Sequence, residues 1–103
     1  MPGAYRFKLT ERVYIGETDR LRRRFQHYRT PGPSQSTNLR LNALIRERLA
    51  AGESVQVHTL TAAQVDTGSG PRQLDLTTKA ARLLVENAAL VFEEAAGTPI
   101  ENL

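Results

Sequence analysis

The clearest pattern in the chain is an alternation of apolar and polar residues near its start. In residues 3–9, Tyr5, Phe7 and Leu9 alternate with basic side chains. A period of two is typical of a strand with one buried face. Residues 12–16 form a second strand pattern after two intervening residues, so we predict an antiparallel hairpin with a two-residue turn.

A two-residue turn fixes the register of this hairpin. Phe7 then faces Tyr14 and Tyr5 faces Gly16, which makes the two tyrosines diagonal neighbours on one face of the sheet. We expect Gly16 to leave space beside the Tyr5 ring for a water molecule or a substrate atom. In the alternative interpretation, both tyrosines are core aromatic residues with satisfied hydroxyl groups.

The next apolar stripe has the spacing of a helix. Leu21, Phe25 and Tyr28 stand at positions i, i+4 and i+7, which form one face of an α-helix. Thr18 or Asp19 is predicted to cap this helix, because their side-chain oxygens accept the free amides of a first turn.

Three consecutive arginines follow the start of this predicted helix. At about 100° per residue, Arg24 lies beside the apolar stripe, whereas Arg23 points away from it. We therefore predict that Arg24 turns inward.

Residues 30–38 form a Pro/Gly/Ser-rich loop that separates this helix from a second one. Thr37 or Asn38 is predicted to cap the second helix, and Gly52 is predicted to end it. Its buried face is predicted to carry Leu41, Leu44, Ile45 and Leu49.

The last part of the chain predicts one strand and one long helix. Residues 54–60 alternate again and are predicted to form a third strand. Residues 66–71 have the composition of a turn or mobile loop, and the rest of residues 61–76 indicates no element. Thr77 or Thr78 opens the helix, which is predicted to run to about residue 95.

This order of elements, β-β-α-α-β-α, predicts a small α+β domain. Helices flank a three-stranded sheet with antiparallel pairing, and residues 1–103 form a single domain. The chain has no cysteine, so disulfides and thiolate metal sites are excluded. No apolar run approaches membrane-spanning length and no signal peptide opens the chain, which favours a cytoplasmic location without membrane association.

The predicted last helix carries a carboxylate inside an apolar run. Between residues 83 and 92 the polar residues are Glu86 and Asn87, so we expect this helix to be mostly buried. A buried carboxylate is costly unless it is paired, protonated or bound to a metal. Arg82 and Lys79 lie one and two turns before Glu86, so a structural ion pair is the alternative to a metal.

Charge is distributed unevenly along the chain. Residues 1–50 contain 11 Lys and Arg against 4 Asp and Glu, whereas residues 51–103 contain 3 against 7. A basic half is what a phosphate-backbone partner requires, although a solvated helix surface would also show arginines. We predict nucleic-acid contacts from the loop at residues 30–38. We predict further contacts from Arg22, Arg23, His27, Arg29, Asn38 and Arg40.

Several of these residues together resemble the GIY-YIG nuclease family. Tyr14-Ile15-Gly16 matches the second half of the family motif, and Gly3-Ala4-Tyr5 matches the first half with Ala in place of Ile. Arg24 stands ten residues after Tyr14, as the family's catalytic arginine does. Tyr28, four residues further on, stands where the family often has Tyr or His.

The end of the chain extends this resemblance. The segment Leu83-Leu84-Val85-Glu86-Asn87 is similar to the one in which the family's metal-binding glutamate occurs, and Asn102 stands where the family has a late asparagine. The resemblance implies an endonuclease that hydrolyses nucleic-acid phosphodiester bonds, with DNA as the expected substrate and one Mg²⁺ or Mn²⁺ ion held by Glu86. The implied catalytic residues are Tyr5, Tyr14, Arg24, Tyr28, Glu86 and Asn102.

The resemblance also implies a role for each of these groups. Tyr5 would act as general base or relay a proton, and Tyr14 would position the water or the phosphate. Arg24 would balance charge on the phosphoryl oxygens, while Tyr28 and Asn102 would orient the reacting groups. A domain of this size makes few contacts with base edges and therefore recognises little of the base sequence. A homodimer or a separate targeting protein would supply the specificity.

Two other functions fit the same sequence. A nucleic-acid-binding module with weak or no catalysis would keep the basic surface and lose the chemistry. A structural or interaction domain would pair Glu86 with Arg82 and have no affinity for DNA.

Overall fold

The structure is a computed structural model that describes residues 1–9, 11–30 and 36–101, without the side chains of residues 36–38. The elements in chain order are β1 (Gly3–Leu9), β2 (Arg12–Thr18), α1 (Leu21–Arg29), α2 (Ser36–Ala50), β3 (Gln56–Leu60), β4 (Gln64–Asp66), β5 (Pro71–Gln73) and α3 (Lys79–Ala95). The fold is α+β, as predicted. No helix within the described ranges combines the length and the apolar character needed to cross a membrane.

The first hairpin has the predicted register. In the three-stranded antiparallel sheet β1 is central, with β2 on one side and β3 on the other. Phe7 pairs with Tyr14 and Tyr5 pairs with Gly16. The strong alternation in β1 and the short connection to β2 determine this pairing, because a slip by one residue would move every side chain to the other face.

The predicted cap of α1 was wrong, because β2 is longer than the sequence pattern indicates. The strand continues to Thr18, which pairs with Gly3, and the N-cap residue of α1 is Arg20, without a side-chain cap bond. The Thr18 hydroxyl instead accepts a hydrogen bond from the Arg20 amide at 3.1 Å. The first amide of the helix, that of Leu21, donates to the carbonyl oxygen of Met1 at 2.9 Å.

The three-stranded sheet separates two clusters of buried residues. One side, here called the aromatic face, carries Tyr5, Phe7 and Tyr14 and is covered by α1 and α2. The opposite side, here called the α3 face, carries Ala4, which packs against Val85 of α3. The two helical layers therefore lie on opposite sides of the sheet.

The expectation that α3 is mostly buried was wrong. The helix begins after the predicted cap Thr78, whose side chain accepts a hydrogen bond from the Ala81 amide, and it ends at Ala95. Arg82 and Val85 face the sheet, but Val91 is 64% exposed and Phe92 is 74% exposed. Three short strands cover only one side of a helix. Apolar residues on every side of α3 therefore do not ensure that every side is buried.

Other departures concern the middle of the chain. Residues 61–76, which indicated no element, contain the β4–β5 hairpin, so the observed order is β-β-α-α-β-β-β-α. Its connection includes two glycines with positive φ, in the segment that the sequence indicated as a turn. In α2, Leu41 is buried as predicted, whereas Leu49 is 57% exposed. That helix begins at Ser36, before its predicted cap, and β3 begins at Gln56.

Candidate active site

Three tyrosine hydroxyl groups from three different elements meet on the aromatic face. The ring centroids of Tyr5 and Tyr28 are 6.0 Å apart, and Tyr14 lies 6.3 Å from each of them. The hydroxyl oxygens of Tyr5 and Tyr28 are separated by 2.5 Å. Tyr5 and Tyr28 are buried and Tyr14 is half-buried, so the cluster reaches the surface through Tyr14.

Gly16 does not leave the empty space that we expected beside Tyr5. A Cβ atom on Gly16 would lie 2.4 Å from the Tyr5 hydroxyl oxygen and 2.5 Å from the Cζ atom of the same ring. The Tyr5 side chain therefore occupies this space itself. Glycine is needed at position 16 because the phenol of the opposite strand lies directly over it.

Burial keeps the two inner phenols neutral. It raises the pKa of the Tyr5 hydroxyl well above its ordinary value, and the hydrogen bond to Tyr28 offsets only part of that rise. Burial also raises the pKa of Tyr28, which is hydrogen-bonded to both Tyr5 and Tyr14. These two residues therefore act as neutral hydrogen-bonding groups near neutral pH.

The charges of Arg24 and Glu86 both affect Tyr5. The three largest effects on the pKa of Tyr5 are burial, the hydrogen bond to Tyr28 and the interaction with Tyr14. Of the two smaller effects, that of Arg24 lowers the pKa and that of Glu86 raises it. Both effects are smaller than that of burial, so they leave the phenol neutral.

Arg24 is the inward-facing member of the arginine run, as predicted. Its side chain is half-buried, whereas Arg22 and Arg23 are exposed. Arg23, Arg24 and His27 line a small cleft of about 140 Å³. Arg20, the N-cap residue of α1, also lines this cleft, although no sequence pattern indicated it.

Glu86 does not form the ion pair that was the alternative to a metal. Lys79 and Arg82 both bind Glu17 of β2 instead, and the Arg82 Nε atom lies 2.8 Å from a Glu17 oxygen. Burial raises the pKa of Glu86, the neighbouring charge of Glu17 raises it further, and Lys79 lowers it. Within the described ranges, no ion pair neutralises the Glu86 carboxylate.

Glu86 lies on the side of the sheet opposite to the phenols. It is carried by α3, which packs on the face opposite to Tyr5 and Tyr14. Glu17, whose charge affects Glu86, follows Gly16 directly in β2, and the Tyr5 hydroxyl lies over Gly16. Gly16 and Glu17 are consecutive residues on opposite faces of β2, so they lie between the phenols and the face that carries Glu86.

The groups near Glu86 fit a single hard divalent cation. Mg²⁺ commonly binds one or two carboxylates and keeps several water ligands, so one carboxylate without an ion pair is enough to hold such an ion. Glu17 adds a second negative charge nearby, although Lys79 and Arg82 bind it. The described residues contain no group of three or more His, Cys, Asp or Glu that would enclose a metal completely.

The segment that follows α3 is tied to β2 beside the first helices. Val13 donates to the Pro99 carbonyl at 3.0 Å, and Glu101 donates to the Val13 carbonyl at 2.8 Å. Arg12 pairs with the Glu101 carboxylate at 2.7 Å, and Arg40 donates to the Glu101 carbonyl at 3.1 Å. Arg40 thus binds the protein itself, where we had predicted a nucleic-acid contact.

The remaining predicted residues are distributed as follows. Arg29 is exposed at the end of α1, and His27 is half-buried beside Arg24. Asn38 lies in the first turn of α2, but its side chain lies outside the described part of the chain. The whole of Asn102 and residues 31–35 of the predicted DNA-binding loop also lie outside it.

The chain matches no known family model, no curated protein and no solved structure. The likeness to GIY-YIG nucleases therefore rests on the two half-motifs, Arg24, Tyr28 and Glu86.

Proposed function

We propose that this protein is a divalent-metal-dependent endonuclease that hydrolyses phosphodiester bonds in DNA. The observation that carries the proposal is the phenol cluster on the aromatic face, where the Tyr5 and Tyr28 hydroxyl oxygens are 2.5 Å apart and Arg24 is half-buried on the same helix as Tyr28. Glu86 of α3 adds a half-buried carboxylate that has no ion pair in the described ranges. A phosphate needs such a mixture of cation, metal-binding acid and proton-relaying hydroxyl groups.

The state of the phenols favours a relay rather than a base at Tyr5. A raised pKa makes a Tyr5 phenolate costly, whereas its short hydrogen bond to Tyr28 and the bond from Tyr28 to Tyr14 form a continuous chain of hydroxyl groups. At Tyr14, the solvent-accessible end of this chain, the hydroxyl would take a proton from the attacking water while it gives its own proton to solvent water. No buried phenolate has to form in this scheme.

Glu86 is the residue that would hold Mg²⁺ or Mn²⁺, because it is a half-buried carboxylate with a raised pKa and no ion-pair partner in the described ranges. Such an ion supplies Lewis-acid polarisation of the phosphate and stabilises the leaving oxygen. Arg24 balances charge that develops on the phosphoryl oxygens. Tyr14 positions the water or the phosphate, and Tyr28 and Asn102 orient the groups that react.

The test is nicking of a supercoiled plasmid by the full-length protein with Mg²⁺ or Mn²⁺. We expect Glu86→Ala to abolish nicking, and Arg24→Ala to lower its rate about a hundredfold or more. Glu94→Ala and Arg72→Ala are matched controls, because Glu94 is an exposed acid of the same helix and Arg72 is an exposed arginine of β5. Full nicking by Glu86→Ala would contradict the role of the acid.

A DNA-binding module without catalysis is the second candidate. The observation that favours it is the raised pKa of Tyr5 and Tyr28, since neutral phenols by themselves do not activate water. Salt-dependent DNA binding without metal-dependent cleavage would select this function. In either case we propose that the protein acts in the cytoplasm, with specificity from a homodimer or a separate targeting protein.

A further inference from the structure

A second cleft on the aromatic face lies between the two helices and β3. Its volume is about 540 Å³, within the usual range of ligand pockets. The wall is mostly apolar and includes Phe7, Phe25, Ile45, Leu49 and Val57.

The outer wall of this cleft is open to solvent. Leu49 is 57% exposed and Val57 is 45% exposed, although both belong to regular elements that flank the buried core. Phe25 packs edge-on against Phe7, with ring centroids 5.8 Å apart, and it is half-buried at the cleft wall. Exposed apolar surface arranged around a concavity indicates a ligand or partner site.

The charges at the cleft favour an anionic ligand. Arg29 and Arg46 line it, and no Asp or Glu stands among its described lining residues. An adjoining cleft of about 580 Å³ shares Phe25 and Arg29 and adds Arg22. A flat apolar wall beside several guanidinium groups is suited to a base with its phosphate, because bases stack on aromatic rings and arginines contact the backbone.

The cleft and the candidate active site share one residue. Tyr28 lines the apolar cleft, and its hydroxyl group is bonded to Tyr5 in the phenol cluster. A ligand in the cleft would therefore lie next to the catalytic groups, on the side of β1 that faces β3.

We propose that this cleft binds an unpaired nucleobase of a DNA strand, while Arg29 and Arg46 contact the adjacent phosphates. The substrate class is then DNA with a single-stranded, bulged or displaced base near the cut site. The inference rests on the nucleic-acid substrate of the proposed function. It does not depend on whether the protein cuts that substrate.

The experiment measures binding of the full-length protein to two fluorescent duplexes in the presence of a metal chelator. One duplex carries a single bulged base, and the other is fully paired with the same flanking sequence. We expect the bulged duplex to bind about tenfold more tightly, the effect of one base stacked on an aromatic wall. In Leu49→Glu and Val57→Glu this ratio should fall to about one, because each places a carboxylate on the wall of the base site.

The matched control is Leu84→Glu. Leu84 is 50% exposed on the outer surface of α3, so the change in net charge and exposure is similar while the cleft stays intact. The added negative charge by itself would weaken the binding of both duplexes equally in all three variants. Only Leu49→Glu and Val57→Glu should also change the ratio of the two affinities. Circular dichroism spectra identical to the wild-type spectrum confirm that each variant folds.

The outcomes separate this inference from the proposed function. If the wild type prefers the bulged duplex and the two cleft variants do not, the base site is supported even when no nicking is observed with Mg²⁺. A wild-type ratio of one, or a ratio that Leu49→Glu leaves unchanged, overturns the base site even when nicking is efficient. Self-association that disappears in Leu49→Glu, with no base preference, would instead make the cleft an interface between copies and overturn the proposal.

Discussion

On the α3 face of the sheet, charged groups are buried as ion pairs, whereas on the aromatic face hydroxyl groups are buried as neutral phenols. Arg6 binds Glu93 at 2.7 Å and Arg82 binds Glu17 at 2.8 Å on the first of these faces. Glu86 belongs to the same helix as Glu93 and lacks such a partner in the described ranges. On this face, the comparison separates Glu17 and Glu93, which stabilise the fold through ion pairs, from Glu86, which has no ion pair in the described ranges.

The largest effect on this comparison is expected from Arg82→Ala. Arg82 is 7% exposed, binds Glu17, and donates to the carbonyl oxygens of Leu76 and Thr77 at 3.0 and 2.9 Å. Its removal leaves Glu17 with only a surface lysine and should lower the free energy of unfolding by about 3–5 kcal/mol.

Urea unfolding measures this loss, and Lys79→Ala is the control. The Lys79 side chain is 65% exposed, so its pair with Glu17 should contribute less than about 1 kcal/mol. Equal losses in the two variants would mean that burial of the Arg82 pair does not matter, and the structural role assigned to the α3 face would be wrong.

A smaller loss of stability is expected from Gly16→Ala on the aromatic face. The added methyl group would overlap the Tyr5 ring, and such overpacking typically costs about 1–3 kcal/mol. The displaced phenol should also lose its bond to Tyr28, so nicking should fall with stability. A double-mutant cycle with Tyr5→Leu checks the cause, because the cost of alanine should largely disappear once the ring is absent. An unchanged cost in that background would place the clash elsewhere.

The smallest effect, and one of opposite sign, is expected from Glu86→Gln. Because the pKa of Glu86 is raised in the folded state, the ionised carboxylate lowers the free energy of unfolding. This unfavourable contribution grows as the pH rises through the folded-state pKa. Glutamine should therefore increase stability near pH 7 by a few tenths of a kcal/mol up to about 1 kcal/mol, after allowance for solvent screening. The gain should vanish near pH 3, where the acid is protonated in both states.

Thermal unfolding at the two pH values checks this prediction. Glu94→Gln, on the exposed side of the same helix, is the control. If Glu86→Gln destabilised the protein at neutral pH, Glu86 would have an ion-pair role like that of Glu93, and the contrast between the two kinds of carboxylate would fail.

Local patterns in the sequence were sufficient to predict the hairpin and the orientation of α1. The period of two in β1 gave the pairing of Tyr5 with Gly16, and the helical angle gave the inward position of Arg24. Both depend on backbone periodicity within a few residues. The boundary of β2 could not be predicted in this way, because Thr18 continues the strand through its pairing with Gly3.

Features that depend on distant neighbours were predicted less well. The interpretation of Glu86 as a partner of Arg82 used helical spacing, but Glu17 of β2 competes for that arginine. Space beside Gly16 was expected because a glycine has no side chain, yet the Tyr5 ring of the next strand fills it. The β4–β5 hairpin has strands of three residues, too short to show an alternation.

The central claim is that Glu86 and the three phenols belong to one site although their elements lie on opposite faces of the sheet. Titration with paramagnetic Mn²⁺, observed through the tyrosine ring signals in NMR spectra, tests it directly, because Tyr5, Tyr14 and Tyr28 are the three tyrosines of the chain. We expect all three ring signals to broaden in the wild type and to remain sharp in Glu86→Gln at the same Mn²⁺ concentration. Rings that stay sharp in the wild type, or that broaden equally in the variant, would contradict a shared site.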